Sequence, residues 1–240
     1  MKPPELDKDN EPSYNKTIPP VYQYNSKQQS SYTMSRLPRS GYDHYLNALR
    51  RELTGMEQVL ELGCGTFSPL IQIAGDFALD GVDLFEGALE AARKTGRYRK
   101  LFQQDVAAPN FGDKTYDAVC SLDLIEHLER EKGETLIREM ERITRQKVIL
   151  FTPNGFLPQS GYNGNPWQVH RSGWTVADFR KRHFRVYGMN GLRFLRGEKA
   201  LIRWKPVSFW RRVSNLSEYL VKFIPQLSFQ LLAVKEIIDN

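Results

Sequence analysis

Val59-Leu60-Glu61-Leu62 is a short apolar run closed by an acid, and it breaks at once into Gly63-Cys64-Gly65-Thr66. A buried strand that stops at two glycines leaves a chain few continuations. Glycine allows a sharp turn and lets backbone N–H groups come close to a ligand where a Cβ would stand in the way. Ser68 and Pro69 then read as helix N-cap and first helical position. Strand, glycine turn and helix N-terminus follow in the order of a nucleotide site, although two glycines alone are more often a matter of tight helix–strand packing.

The next segments add to that pattern. Ala78–Leu84 reads as a second strand and sets Asp83 eighteen residues beyond Gly65, where a carboxylate can accept both hydroxyls of a ribose. Lys100–Val106 and Tyr116–Asp123 read as a third and a fourth strand, each with an acid near its end. In an open parallel sheet, ligands bind beyond the carboxyl ends of the strands, where strand order reverses. Any one of these acids could be a turn former or a cap. Together they point to one site.

At this point the chain resembles the class I S-adenosylmethionine-dependent methyltransferases. The matching stretches are Glu61–Thr66, Gly81–Asp83, Gln104–Val106, Tyr116–Val119, Leu124–Leu128 and Val148–Asn154, in family order over about residues 57–155. The Glu126-His127 pair most resembles O-methyltransferases of ubiquinone biosynthesis and methyltransferases of surface-glycan pathways. Phe67 stands where the family usually has a third glycine.

The resemblance implies a Rossmann-like, doubly wound α/β fold with a seven-stranded sheet, mostly parallel with the last strand antiparallel. It implies S-adenosyl-L-methionine as cofactor. Glu61, Gly63, Cys64 and Gly65 would face its methionine part and Asp83 with Leu84 the ribose. Asp105 would meet the adenine amino group, with Val106 beside the ring and Leu122 on the neighbouring strand. An N-terminal helix of this family covers the cofactor, so Arg36, Arg39 or Tyr42 could reach its carboxylate.

With 40% apolar and 26% charged residues, 240 residues suit one α/β domain, here 36–240, with a cofactor core at 57–155 and an acceptor side at 156–240. Residues 1–35 are rich in Pro, Asn, Gln, Ser and Tyr without apolar period and read as a flexible arm carrying Tyr22, Tyr24 and Tyr32. From Ser40, Tyr42, Tyr45, Leu46, Leu49 and Leu53 recur at helical spacing. Further helices are expected over Pro69–Ala74 and Glu86–Arg93. No run resembling a signal peptide or a transmembrane segment occurs, which suits a cytoplasmic protein, peripheral to a membrane at most. Cys64 and Cys120 are too few for a disulfide scaffold and read as buried small hydrophobes, with a redox pair as the alternative.

Two histidines are candidate catalytic groups. A helix starting near Asp123 would put Asp123, Glu126 and His127 on one face, a set that related enzymes use for a divalent ion. Asp123 as N-cap with Glu126 in the capping-box position accounts for both acids without metal, so no metal ligands are assigned. His170 lies in a loop from Thr152 to Trp174 dense in Gly, Pro and Asn, a length that usually signals function. Tyr162, Trp167, His170 and Trp174 would suit a flat or sugar-like acceptor, and His127 or His170 could take the proton of an attacking hydroxyl.

Positive charge is concentrated late in the chain. From Arg171 to Arg212 twelve Lys or Arg stand against Asp178 and Glu198, net +10 in a chain of +6. Such a region attracts phosphate-bearing partners: a glycan-linked phosphate, an anionic membrane surface or RNA. Phe209, Val213, Leu216, Leu220 and Phe223 repeat at helical spacing beyond it and are expected to pack on the sheet, although a basic amphipathic helix can also lie on a membrane. The function expected is methyl transfer to an oxygen of a small-molecule or glycan-type acceptor. The alternatives are an RNA methyltransferase using residues 171–212 and a non-catalytic cofactor-binding or membrane-docked scaffold.

Overall fold

A computed structural model describes residues 41–73, 77–159, 166–197 and 200–238. Seven strands form one sheet: β1 (Gln58–Leu62), β2 (Ala78–Asp83), β3 (Tyr98–Gln103), β4 (Tyr116–Leu122), β5 (Thr144–Pro153), β6 (Arg185–Leu192) and β7 (Ser228–Glu236), in the spatial order 3-2-1-4-5-7-6. The first five are parallel, and β7 runs antiparallel to both β5 and β6. This is the expected Rossmann-like α/β sheet with its last strand reversed.

The central strands are apolar throughout because both faces are covered. Leu60, Val119, Val148, Leu150 and Leu231 point to one core, closed by α4 (Arg130–Ile143) and α5 (Val176–Arg180). Their neighbours Val59, Cys120, Ile149, Phe151 and Leu232 point to the other, closed by α1 (Gly41–Leu53) and α2 (Leu70–Ile73). Tyr45 of α1 stacks on Phe151 with ring centroids 3.9 Å apart. Next to β2, α3 (Glu86–Thr95) packs Leu89 and Ala92 on Cys64 and ends in a left-handed Gly96. Cys64 and Cys120 are both buried free thiols in separate clusters, which fits small hydrophobes.

Several boundaries differ from expectation. Residues 1–40, with Tyr22, Tyr24, Tyr32, Arg36 and Arg39, lie outside the described residues, as do Ala74 and Tyr162. The third strand ends at Gln103, so Asp105 and Val106 sit in the turn beyond it. The helix after β4 starts at Arg130 and not near Asp123. A 3-10 turn, Ile125–His127, intervenes because the Glu126 carbonyl accepts N–H groups from Arg171 (2.8 Å) and Ser172 (3.1 Å), across the fold. Among the described residues no helix is long and apolar enough to cross a membrane.

Candidate active site

The order 3-2-1-4 places the reversal of strand order between β1 and β4, and the glycine turn lies at that point. Gly63 (φ 80°) and Gly65 (φ 56°) both adopt the left-handed conformation that costs glycine little. A Cβ on Gly63 would come within 2.7 Å of the Leu124 side chain, whereas one on Gly65 would meet nothing within 4 Å. The turn is held from β2: Gly63 and Cys64 donate their N–H groups to the Val82 carbonyl at 2.8 and 3.0 Å. Asp83 completes the hold, accepting from Gly65 N–H through Oδ2 and from Phe85 N–H through Oδ1, each at 2.9 Å. Each carboxylate oxygen retains a lone pair for a ligand hydroxyl.

Glu61 braces the same turn. Ser68 Oγ donates to its Oε1 at 2.6 Å, Tyr98 OH donates to its Oε2 at 2.7 Å, and Ser68 Oγ also accepts the Leu70 N–H at 3.0 Å as the expected cap. Burial pushes the Glu61 carboxyl up to about 8, against the pull of the two hydroxyls. A folded-state pKa above the unfolded 4.5 means that unfolding releases the proton, so stability is lost as pH rises from about 4.5 to about 8. Thermal midpoints across that range should therefore fall in wild type more than in Glu61→Gln. Identical profiles would show that Glu61 ionises freely in the folded protein.

Around the turn, Cys64, Val106 and Leu122 are buried, and Leu84 and Phe67 are exposed. Asp105 Oδ1 accepts from Ala107 N–H at 2.9 Å, with the Lys132 ammonium 3.7 Å from Oδ2. Tyr42 OH accepts from Gln72 Nε2 at 2.6 Å, tying α1 to α2 beside the site.

A second cluster stands beyond β4. Glu126, His127 and His170 are all buried, and one ligand atom from each lies within 4.8 Å of the others. His170 arrives because the Arg171 and Ser172 amides seize the Glu126 carbonyl. The rings of His127 and His170 meet edge to face at 4.7 Å. His127 Nδ1 lies 3.3 Å from the Val169 carbonyl and His170 Nδ1 lies 2.6 Å from the Leu157 carbonyl. A carbonyl only accepts, so both Nδ1 atoms carry the proton and the lone pairs are left on Nε2. Burial, and then the nearby His170, lower His127 to about 4. Glu126 takes a hydrogen bond from Thr152 Oγ1 at 2.9 Å, and burial followed by the Asp123 charge raises its carboxyl well above the usual range.

These observations correct two readings. Asp123 is no N-cap: it holds φ 52°, the turn after it has no side-chain cap, and its Oδ1 accepts from Gln230 Nε2 at 3.0 Å. The capping-box account of Glu126 therefore fails, and His170 joins Glu126 and His127 in its place. Trp174 is fully buried and cannot touch an acceptor; Trp167 remains about half exposed. Tyr98, Thr152 and Gln230 carried no sequence signal for their roles, since each acts on an acid far away in the chain. Next to the cluster, Leu157 also lines a cavity of about 570 Å³ with Phe156, Arg193, Phe194, Arg203 and Leu227.

The basic half is partly neutralised within the fold. Arg171 pairs with Glu129, Arg182 with Glu134 and Arg185 with Glu236. Among the described residues, Arg193, Arg203, Arg211 and Arg212 have no carboxylate within ion-pairing distance.

Residues 59–147 match the methyltransferase-domain family. A protein of Encephalitozoon cuniculi, named provisionally as a methyltransferase, is 29% identical over 141 residues, 56% of this chain; the chain spans 65% of that relative's length. The methyltransferase domain of a bacterial Hen1 superposes with a TM-score of 0.51 at 22% identity, covering 80% of this chain and 97% of that one. Magnesium protoporphyrin IX methyltransferase of Synechocystis PCC 6803, solved with bound S-adenosylmethionine, superposes with a TM-score of 0.51 at 17% identity, covering 82% and 80%. At such identities the likeness is one of fold. Residues 59–147 are thus similar to the methyltransferase-domain family, on a fold shared with S-adenosylmethionine-dependent methyltransferases.

Proposed function

We propose that this protein transfers the methyl group of S-adenosylmethionine to an oxygen of a small-molecule or glycan-type acceptor. The observation that carries the reading is convergence: the Gly63–Gly65 turn, Asp83 and Asp105 lie at neighbouring strand ends, and Glu126, His127 and His170 meet beside them. When bound, S-adenosylmethionine supplies a methyl already activated by its positive sulfur, which leaves the chain chiefly the work of positioning. The Asp83 carboxylate holds the cofactor beside a glycine turn whose own Gly63, Cys64 and Gly65 N–H groups are spent on β2, with Asp105 and Val106 at the adenine. The 570 Å³ cavity receives the acceptor, its arginines suiting an acidic or phosphate-bearing group.

The buried cluster fits a divalent ion. Its donor set is one carboxylate and two imidazoles, each ring fixed by a backbone carbonyl on Nδ1, as ligand histidines are commonly fixed. A ligand histidine must be neutral, and His127 is held neutral at physiological pH. An ion held there would bind an acceptor oxygen and ease loss of its proton. Glu126, His127 and His170 would hold it, while Asp123 and Thr152 orient or polarise Glu126. Adding manganese at about a hundredfold excess over Kd should stabilise the wild type by about 2.7 kcal/mol, or roughly 5–10 °C. His127→Ala and His170→Ala should abolish that shift. An unchanged melting point in wild type would return the two histidines to the role of proton acceptors.

The test of the function itself is formation of S-adenosylhomocysteine with a panel of hydroxylated acceptors: quinols, catechols, lipid-linked sugars and short RNAs. Turnover on quinols or sugars supports the reading. Turnover on RNA alone would reassign the acceptor, and cofactor binding without any turnover would favour a scaffold role.

A further inference from the structure

Helix α6 (Val207–Val221) is built inside out. The side chains it buries are Ser214, Ser217, Glu218 and Val221, whereas Phe209, Leu216, Tyr219 and Leu220 are about half exposed or more, and Leu216 reaches 72%. The stripe expected to pack on the sheet therefore faces away from it.

The cause is the end of β6. Its register shifts between Met189 and Leu192, which leaves the N–H groups of Asn190, Gly191 and Leu192 needing acceptors away from β7. Glu218 accepts from Asn190 at 3.2 Å and from Gly191 at 2.6 Å, and Ser217 Oγ accepts from Leu192 at 3.0 Å. The helix sits directly on glycine: a Cβ on Gly188 would lie 2.2 Å from the Val221 carbonyl. Small and polar residues make that seat, and the apolar stripe is left outside by the geometry of the seat itself.

We propose that this outer face docks on an anionic lipid surface. Trp204, Phe223, Ile224 and Leu227 extend the exposed apolar surface at either end of the helix. Arg203, Lys205, Arg211, Arg212 and Lys222 stand exposed among them, and none has an ion-pair partner among the described residues. The sole acid from Arg203 to Leu227 is Glu218, buried against backbone. Large apolar and aromatic side chains interleaved with cations are the make-up of a helix that lies in the headgroup region. Fifteen residues span about 22 Å, enough to lie along a bilayer and too short to cross it. Charge complementarity selects this occupant: a second copy would set five cations against five. Nucleic acid would leave Leu216, Leu220, Ile224 and Leu227 without bases to stack on.

The test is co-sedimentation of the full chain with vesicles of phosphatidylcholine, alone or with about one third phosphatidylglycerol. Wild type is expected to partition at least about tenfold more strongly into the anionic vesicles. Leu216→Ser combined with Phe223→Ser should lower that partition about tenfold or more while leaving the melting point unchanged, because both side chains are already in solvent. Arg211→Gln combined with Arg212→Gln should lower it about tenfold and flatten its dependence on salt. Folded wild type that stays in the supernatant with anionic vesicles would overturn the proposal. So would a dimer, seen by light scattering, that the Leu216/Phe223 variant dissociates without any change in vesicle binding.

Discussion

Alanine at position 83 is expected to lower the affinity for S-adenosylmethionine about tenfold to a hundredfold, as read by calorimetric titration against the wild type. The carboxylate holds two backbone N–H groups, those of Gly65 and Phe85, and would also take the ribose hydroxyls. Hydrogen bonds to a charged acceptor are worth about 1.5–3 kcal/mol each, and each 1.4 kcal/mol is about tenfold in affinity. The loss has two sources, a missing ligand contact and a glycine turn no longer tied to β2. Asp83→Asn separates them: its amide oxygen can keep one N–H, so the turn is partly preserved and an intermediate affinity is expected. Micromolar binding that Asp83→Ala leaves untouched would remove Asp83 from the cofactor site. Absence of binding by folded wild type would remove the cofactor reading altogether.

Trp174→Ala is expected to cost about 3–5 kcal/mol of stability, the range for deleting a fully buried large aromatic side chain. No surface of Trp174 reaches solvent. Its ring stacks on Phe179 at 5.7 Å, carries the Arg130 guanidinium 3.7 Å above it, and donates from Nε1 to Ser172 Oγ at 3.0 Å. Its carbonyl accepts the Gly155 N–H at 2.6 Å, which joins the end of β5 to the segment that carries His170. Urea midpoints should show the loss, and Trp174→Phe should recover most of it. The manganese shift should shrink in Trp174→Ala along with stability, since His170 loses its anchor. A loss below about 1 kcal/mol would mean that the core closes over the vacancy and that the segment is held by its backbone bonds alone.

The parts of this fold that the sequence makes plain are those decided locally. β1, β2, β4 and β5 are apolar runs because both faces of the sheet are covered, and each stops at a glycine, an acid or a proline. Ser68 is legible as a cap because a cap needs only its own next residues. What was illegible depends on partners far along the chain. Nothing near Glu126 announces that its carbonyl will be taken by Arg171 and Ser172, so a helix was expected from Asp123, and His170 stayed apart from the acid it joins. Trp174 read as an acceptor platform because composition does not tell a buried aromatic from an exposed one. In α6 the period of the stripe was right and its direction wrong. Periodicity says which side chains share a face; the unpaired N–H groups of β6 decided which face turned inward.

The placement of β7 bears on how the chain assembles. Among the described residues β6 has no neighbour in the sheet but β7, yet β7 follows it by some 36 positions and must enter between β5 and β6. During synthesis β5 therefore remains an open edge and β6 an unpaired strand until residues 228–236 have left the ribosome, so the five parallel strands must hold together first. Contacts so distant in sequence form slowly, and an exposed edge invites pairing with other chains. Lys147 near the start of β5 and Arg185 at the start of β6 each set a charge on those waiting strands, a local deterrent to the wrong partner.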